Sequence, residues 1–306
     1  MPIKIPNGLP AVNTLRSENI SVITQNYADT LQTKPVRVLL LNLMPTKIET
    51  ETQLARVLCS SALHVELELL RTGSHVSKNT SPEHMLTFYK TFDQVRHRYY
   101  DGMIITGAPV EHLEFEEVEY WQELCEIMEW TKTHVRSTYH ICWGAQAALY
   151  YHFGIQKHPL SEKLFGIFPH RAEEKEFPLF CGFDDVFMVP HSRHTTVLRE
   201  DIEHEPELQV LASSPEAGVY AAYAKEHRYF FITGHSEYDP HTLMNEYLRD
   251  KNAGLPIAPP KNYFPDDDDT QPPTVTWRVH GRLIYGNWLK YFVCGEAHDA
   301  PEGDAK

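Results

Sequence analysis

The first half of the chain consists of short apolar runs separated by amphipathic segments. Residues 36–43 are almost continuously apolar, which is typical of a strand buried on both faces of a parallel sheet. Residues 65–70 alternate apolar residues with glutamate, and residues 100–107 contain an apolar run that ends in glycine; both patterns predict strands. Between the first two strands, Thr46 followed by Glu49 indicates a helix start. This alternation of strands and helices predicts a doubly wound sheet.

Strand patterns are more closely spaced in the second half of the chain. Candidate strands lie at residues 164–168, 186–189, 208–211, 219–223 and 229–233. A last helix is predicted over residues 239–251. We therefore predict an α/β fold with a doubly wound, mostly parallel sheet flanked by helices, and additional antiparallel strands in the second half.

The length of 306 residues suits one large α/β domain or two modest ones. We predict one domain over residues 35–294, because the antiparallel strands are interpreted as an addition to the same domain. Residues 1–34 lack a clear hydrophobic period and are predicted to form an N-terminal arm. Residues 295–306 are predicted to be a disordered tail.

Composition excludes several classes of protein. The formal net charge of −14, without a basic stripe, argues against nucleic acid as a partner. The longest apolar runs are too short to span a bilayer, and the N-terminus lacks a signal-peptide core. Five widely spaced cysteines without a Cys-x-x-Cys pair indicate reduced thiols in the cytoplasm and argue against structural zinc. His191 and His194 are close in sequence, but no carboxylate cluster accompanies them, so we predict no metal site.

One cysteine stands where a predicted strand meets a predicted helix. Residues 135–141 are strand-like, Cys142 follows, and the next residues are rich in Ala, Gln and Leu. The helix N-terminus would stabilise a thiolate at this turn, which is the pattern of a nucleophile elbow. Gly144 keeps the second glycine position of that pattern, whereas His140 replaces the first. The alternative is that Cys142 is a buried core cysteine.

A cysteine nucleophile needs a base and a group that orients the base. His235 and Glu237 follow the predicted strand 229–233, at the edge where open α/β sheets place their sites. If the segment is extended, the two side chains project on the same side. We therefore predict a catalytic triad of Cys142, His235 and Glu237.

The triad is similar to that of the class I glutamine amidotransferase fold, although Ser236 stands where that fold usually has proline. Five segments carry a closer resemblance: NLMPTK at 42–47, TGAP at 106–109, CWGAQA at 142–147, VPHSRH at 189–194 and GHSEY at 234–238. Together, and in this order, they resemble the homoserine O-acyltransferase family of methionine biosynthesis. The match extends from about residue 35 to residue 288, nearly the whole chain.

The resemblance implies a covalent mechanism. Cys142 would take the acyl group from an acyl-CoA thioester, and the hydroxyl of L-homoserine would then attack, with His235 as the base. The oxyanion would be stabilised by the backbone N–H groups of Trp143 and Ala108. The co-substrate would be acetyl-CoA, with no permanently bound cofactor. Family members are often homodimers, which favours a homodimer here.

Substrate-binding positions also follow from the resemblance. Lys163 and Ser192 match substrate-contacting positions, and Arg249 offers a bidentate partner for the homoserine carboxylate. Glu246 lies three residues before Arg249 and would bind the substrate ammonium, or else form a surface ion pair with Arg249. Lys47 would help to align the substrate or be structural.

Glu111 bears on the choice of acyl donor. Family members that use succinyl-CoA carry glycine at this position. A glutamate would fill the space and repel the succinyl carboxylate by about 4 kcal/mol at about 4 Å and an effective dielectric of about 20. We therefore predict acetyl-CoA as the donor. The alternative function is a succinyltransferase, and the alternative interpretation of Glu111 is a solvent-facing loop residue that does not affect the choice of donor.

Two other functions share parts of this pattern. A glutaminase-type amidotransferase would use the same triad, but His140 and Ser236 depart from its motifs. A non-enzymatic thiol sensor would use Cys142 alone and would not need Lys163 or Arg249.

Overall fold

The computed structural model describes residues 3–23, 34–75 and 79–294, within which twelve strands form one sheet. In chain order they are β1 (Ile3–Lys4), β2 (Val22–Ile23), β3 (Val36–Leu41), β4 (Val65–Leu70), β5 (Tyr89–Lys90), β6 (Tyr100–Ile105), β7 (Val135–Ile141), β8 (His158–Ala172), β9 (Phe187–Thr196), β10 (Leu208–Ser214), β11 (Gly218–Ala224) and β12 (Tyr229–Ile232). The order across the sheet is β2-β1-β4-β3-β6-β7-β12-β11-β10-β8-β9, with β5 paired to β4.

Strands β1 to β7 and β12 pair in parallel, and we call them the parallel half. β3 and β7 are buried along almost their whole length, as expected for strands covered on both faces. β3 ends at Leu41 rather than at the predicted residue 43. The chain turns away there because the N–H of Leu43 donates to the Thr106 hydroxyl (2.8 Å) instead of continuing the ladder.

Strands β8 to β11 pair in antiparallel fashion, and we call them the antiparallel half. β11 also pairs antiparallel with β12, which joins the two halves. β8 spans His158–Ala172 and is much longer than the predicted residues 164–168, because its first part is polar and mostly solvent-facing. The ladder between β8 and β9 loses its register between Pro159 and Leu164.

Helices cover both faces of the sheet, which confirms the predicted doubly wound α/β class. They are α1 (Ala11–Ser17), α2 (Lys47–Leu58), α3 (Pro82–Phe88), α4 (Phe92–Val95), α5 (Trp121–His134), α6 (Trp143–Phe153), α7 (Arg199–Glu203), α8 (Thr242–Asn252) and α9 (Arg278–Trp288). α1, α2 and α9 contribute to one apolar core, and α5, α6 and α7 contribute to the core on the opposite face.

The chain ends differ in how much the structure describes. β1 pairs with β2 and β4, so part of the predicted N-terminal arm belongs to the sheet of its own chain. The predicted tail, residues 295–306, lies outside the described residues, and the division at residues 34 and 294 stays a prediction. Among the helices that the structure describes, none has the length and apolar character needed to cross a lipid bilayer.

Candidate active site

Cys142 occupies a strained turn between β7 and α6. Its φ and ψ are 51° and −117°, a left-handed conformation that non-glycine residues seldom adopt. Its N–H donates to the carbonyl of Ile232 at 2.7 Å, which anchors the turn to the neighbouring strand. A Cβ on Gly144 would lie 2.6 Å from the carbonyl oxygen of Thr106, so this elbow position requires glycine. The side chain of Cys142 is 5% exposed, yet it lines a cavity.

His235 lies just after β12 and contacts both other members of the predicted triad. Its Nδ1 is 2.7 Å from Oε1 of Glu237, and the ring also hydrogen-bonds to Cys142. The segment is a turn closed by the N–H of Tyr238 and the carbonyl of His235 (3.3 Å), not the extended segment that we considered. Sequence spacing alone therefore identified the pair, whereas its geometry comes from the turn.

The electrostatics of His235 suit acid–base chemistry. Burial lowers the pKa of His235, but the nearby charges of Cys142 and Glu237 outweigh burial and raise this pKa to about 10. The imidazole therefore holds a proton at neutral pH, next to the sulfur. A cysteine–imidazolium pair of this kind can attack a thioester or an amide carbonyl and protonate the group that leaves.

Aromatic residues fix the base and the carboxylate, and none of them was predicted from the sequence. The ring of Tyr238 stacks on His235 with centroids 4.1 Å apart. The hydroxyl of Tyr285, on α9, donates to Oε2 of Glu237 at 3.3 Å. The backbone N–H of His235 donates to the carbonyl of Pro190 at 2.8 Å. Tyr238 lies within the GHSEY segment, whereas Pro190 and Tyr285 are far from His235 in sequence, so no motif around His235 could have indicated their contacts.

The triad faces a cavity of about 420 Å³. Other predicted site residues that line it are Ala108, Glu111, Lys163, Ser192, Glu246 and Arg249. Lining residues that were not predicted include Glu49, Gln53, His112, His194, Asn245 and Asp250. Asn245 and Asp250 lie one helical turn from Arg249 and Glu246 respectively, on the same helix face. That spacing is the signal that would have indicated them.

Glu246 is the centre of a polar cluster on one wall of the cavity. Its Oε1 accepts from Nζ of Lys163 at 2.6 Å, and both carboxylate oxygens lie 2.9 Å from the Ser192 hydroxyl. The three residues come from β8, β9 and α8. Glu246 was also considered as an ion-pair partner of Arg249. That contact is weaker than the contact with Lys163, because Nη2 of Arg249 lies 3.8 Å from Oε1 of Glu246.

Arg249 lies at the rim of the cavity, with its side chain 67% exposed. Its Nε donates to Oδ1 of Asp250 at 2.7 Å. The guanidinium is therefore accessible to a ligand that enters from solvent. To bind that ligand through Nε, it must first release Asp250.

Lys47 is not among the residues that line the cavity. Its Nζ donates to the carbonyls of Asn42 (2.6 Å) and Met44 (3.0 Å), which ties the loop after β3 to the start of α2. Burial lowers the pKa of Lys47 to about 8, although Glu51 opposes this shift. Lys47 thus has the contacts expected of a structural residue, which was the alternative to a role in aligning the substrate.

Glu111 lines the cavity and its carboxylate is bound by the protein. Oε2 accepts from the backbone N–H groups of His194 (2.5 Å) and Thr195 (3.0 Å) and from the Thr195 hydroxyl (3.2 Å). The carboxylate of Glu111 is therefore held at the cavity wall by groups of β9.

Two backbone segments meet beside Cys142, where an oxyanion would form. Trp143 is the first residue of α6, so its N–H has no acceptor within the helix. A Cβ on Gly107 would lie 3.2 Å from Cβ of Cys142 and 3.6 Å from the nitrogen of Trp143. The loop that carries Ala108 thus packs directly against the elbow.

The residues that the structure describes include no group of three or more His, Cys, Asp or Glu side chains arranged to hold a metal ion.

The fold and the buried triad define a class of protein, that of the class I glutamine amidotransferase-like fold. A glutamine amidotransferase from Thermotoga maritima is similar to this chain with a TM-score of 0.56 at 14% identity, over 84% of this chain and 98% of that one. A glutamine amidotransferase from Methylobacillus flagellatus has a TM-score of 0.53 at 14% identity, over 85% and 95% of the two chains. At this identity the likeness concerns the fold alone.

Sequence comparison gives the family. The family described as homoserine O-succinyltransferase matches residues 2–299, and the chain belongs to it. Proteins named homoserine O-acetyltransferase from Brevibacillus brevis and Acetivibrio thermocellus are each 57% identical over 296 residues, which is 97% of both chains. One of the same name from Bacteroides thetaiotaomicron is 55% identical over the same share. The family resemblance inferred from five segments is confirmed.

Proposed function

We propose that this protein is a homoserine O-acetyltransferase, which transfers the acetyl group of acetyl-CoA to the hydroxyl of L-homoserine. The observation that carries the proposal is the buried contact of Cys142 with His235 in a cavity, in a chain more than half identical to proteins of that name. The product would be O-acetyl-L-homoserine for methionine biosynthesis, and no permanently bound cofactor takes part.

The triad supports a two-stage mechanism. The Cys142 thiolate attacks the thioester carbonyl, and the tetrahedral intermediate expels coenzyme A, which takes the proton of His235. The neutral imidazole then accepts the proton of the homoserine hydroxyl as its oxygen attacks the acetyl-cysteine. Collapse of the second intermediate releases the ester and restores the thiolate and the imidazolium. Glu237 keeps the ring oriented through the 2.7 Å contact with Nδ1.

The remaining groups would bind the substrates. We assign oxyanion stabilisation to the backbone N–H groups of Trp143 and Ala108, which lie on the two segments that meet beside the sulfur. The exposed guanidinium of Arg249 suits the homoserine carboxylate, and Glu246, held by Lys163 and Ser192, suits its ammonium.

Glu111 supports acetyl-CoA over succinyl-CoA as the donor. Its carboxylate lines the same cavity as Cys142 and is fixed there by donors from β9. A second carboxylate on the acyl group would meet both its bulk and its charge. The alternative, succinyl transfer by the same mechanism, is favoured only by the description of the family.

The decisive experiment is to expose the purified protein to acetyl-CoA without homoserine and to locate the adduct by mass spectrometry. We expect one acetyl group on Cys142, its loss when homoserine is added, and no adduct on the exposed Cys181, which serves as the internal control. Cys142→Ala should abolish both loading and turnover. Loading with succinyl-CoA but not with acetyl-CoA would support the succinyltransferase.

The same preparation separates the other functions. Release of ammonia from glutamine, without acyl loading, would contradict the proposal and favour an amidotransferase. Absence of any acyl adduct on Cys142, with the thiol still reactive towards iodoacetamide, would favour a thiol sensor.

We further propose that the enzyme is a homodimer, as the family resemblance implies, and that it is cytoplasmic, as its widely spaced cysteines indicate. Sedimentation of the purified chain at several concentrations tests the oligomeric state, and a single species with the mass of one chain would contradict it.

A further inference from the structure

Two helices carry a part of the cavity wall to which the proposed mechanism gives no role. At the start of α2 and along it, the lining side chains include Thr46, Glu49 and Gln53. On the first turn of α8, they are Thr242 and Asn245. Spacings of three and four residues place each set on one face of its helix. We call these five residues the polar wall.

Hydrogen bonds join the two helices at the polar wall. Nε2 of Gln53 donates to Oγ1 of Thr242 at 2.9 Å and to Oε1 of Glu49 at 3.3 Å. The Thr242 hydroxyl donates to the same carboxylate oxygen at 3.3 Å. Gln53 is buried, whereas Glu49 and Asn245 are exposed. The polar wall therefore has a fixed base, and its outer side chains are accessible to a ligand.

The outer side chains of the polar wall keep hydrogen-bonding groups available. Oε2 of Glu49 and the side-chain amide of Asn245 have no hydrogen-bond partner among the residues that the structure describes. The hydroxyl of Thr46 makes no capping bond at the start of α2. The wall thus offers a carboxylate that accepts, an amide that donates and accepts, and a hydroxyl.

The polar wall differs in charge from the cluster around Glu246. The lining cations Lys163 and Arg249 contact Glu246 and Asp250. Glu49, in contrast, forms no ion pair within the part of the chain that the structure describes. Its negative charge would repel a phosphate or a carboxylate at this wall. An uncharged ligand segment with amide groups would instead find a partner for each N–H and each carbonyl.

The polar wall lies close enough to the sulfur for one ligand to reach both. Cys142 and Glu49 line the same cavity of about 420 Å³. Burial raises the pKa of Tyr238, and the charges of Cys142 and Glu49 add to this rise, so a single ring lies within electrostatic reach of both groups. Because the cavity is small, an acyl-CoA whose thioester reaches Cys142 must extend towards solvent along one of the walls.

We propose that the polar wall binds the pantetheine arm of the acyl donor, a segment that carries two amide groups and no charge. Oε2 of Glu49 accepts an N–H of the arm, and the side-chain amide of Asn245 donates to a carbonyl of the arm. This inference rests on the proposed function and deepens it by naming a site for the donor. The charges of homoserine and the arm of the donor then bind to different residues of one cavity.

The two substrates can be tested separately because the proposed mechanism has two stages. kcat/KM for acetyl-CoA then reports the loading of Cys142, and kcat/KM for homoserine reports the second stage alone. Asn245→Leu should lower kcat/KM for acetyl-CoA by about three- to tenfold, since one neutral hydrogen bond is lost. Glu49→Met should lower it by about tenfold or more, because that bond involves a charged group. In both variants kcat/KM for homoserine should stay unchanged.

Shorter donors assign the effect to the amides of the arm. S-acetylpantetheine retains both amides, S-acetyl-N-acetylcysteamine retains one, and S-methyl thioacetate has none. The loss in Glu49→Met should persist with S-acetylpantetheine and disappear with S-methyl thioacetate. A loss of the same size with all three donors would mean that the substitution disturbs the reacting groups, and would contradict the proposal.

Asn252→Leu is the matched control for Asn245→Leu. It is the same substitution on the same helix, at an exposed residue that is not among those lining the cavity. Both values of kcat/KM should equal those of the unmodified protein. Equal losses in the two leucine variants would mean that α8 is generally disturbed, and would count against the polar wall as a binding site.

The outcomes also distinguish this inference from the proposed function. If kcat/KM for homoserine falls while that for acetyl-CoA is retained, Glu49 and Asn245 bind the acceptor and the inference is overturned. Unchanged values in Glu49→Met and Asn245→Leu, with acetyl transfer to homoserine intact, also overturn the inference alone. Absence of acyl transfer from every donor in the unmodified protein overturns the proposed function.

Discussion

The two halves of the sheet contribute to the cavity in different ways. The parallel half carries Cys142 in a strained, buried turn whose neighbours are backbone atoms and glycines. The antiparallel half, with α8, carries ionic side chains such as Lys163 and Glu246, which contact each other and reach solvent. We propose that this difference reflects a division of labour, in which one half holds the reacting groups rigidly and the other binds substrates through groups that can exchange partners.

The largest effect should come from Cys142, the proposed nucleophile in the parallel half. Cys142→Ser should lower kcat by about a thousandfold or more, because a serine hydroxyl at neutral pH is a far weaker nucleophile than a thiolate. Steady-state rates measure the loss, and circular dichroism checks the fold. Cys181→Ser, an exposed cysteine outside the cavity, is the control and should leave kcat unchanged.

The elbow itself should be almost as sensitive. Gly144→Ala places a Cβ 2.6 Å from the carbonyl of Thr106, so the turn must shift. We expect a loss of about 100-fold in kcat and about 1–3 kcal/mol in the free energy of unfolding. Gly286→Ala, a helical glycine with no heavy atom within 4 Å of the new Cβ, is the control. Equal activities of the two variants would contradict a rigid elbow.

Acid should destabilise the parallel half through His140 of β7. Burial lowers the pKa of His140 from 6.5 to about 4, although a bond to the carbonyl of Phe230 opposes this shift. The unfolded chain takes up this proton at higher pH than the folded protein, so stability is present above pH 6.5 and is lost as the pH falls towards 4. His140 alone should cost about 2 kcal/mol on going from about pH 7 to about pH 5.

His140→Phe keeps the ring that stacks on Phe231 and should remove this part of the pH dependence. Urea unfolding at the two pH values measures it. The control is the half-exposed His158, whose replacement by Phe should leave the dependence in place. An identical pH dependence in His140→Phe and the unmodified protein would mean that folding does not lower the pKa of His140.

Lys163→Met should reveal the binding role of the antiparallel half. Loss of the 2.6 Å contact frees Glu246 and alters the pocket for homoserine. KM for homoserine should rise by about tenfold or more, with a smaller change in kcat. Lys157→Met, a lysine that packs over the ring of Phe115 rather than in the cavity, is the control. A fall in kcat at constant KM for homoserine would contradict the proposed division of labour between the two halves of the sheet.

Arg249→Met should give the smallest effect, because the guanidinium is exposed and already contacts Asp250. KM for homoserine should rise about three- to tenfold. Lys251→Met, on the same helix but paired with Asp269, is the control. If both variants behave like the unmodified protein, Arg249 is not a carboxylate partner.

Prediction from sequence succeeded where the signal is local. The strand at residues 65–70 was placed correctly because its buried apolar residues alternate with half-buried glutamates. The elbow after Ile141 was placed correctly because a strand-like segment meets a helix-forming one there. β8 was predicted far too short, since its exposed first part has no apolar alternation. The N-terminal strands β1 and β2 have only two residues each, which is below the length at which a period can be detected.

The amino-acid sequence alone was enough to predict the doubly wound class, the elbow at Cys142 and its partners His235 and Glu237. These depend on residue types and short spacings. Other features became visible only in the folded chain: Lys47 binds a loop, Tyr285 donates to Glu237, and Glu111 contacts Thr195, 84 residues away. Such contacts depend on strand order, on a break in register and on which way a side chain turns, and no local pattern of residues carries that information.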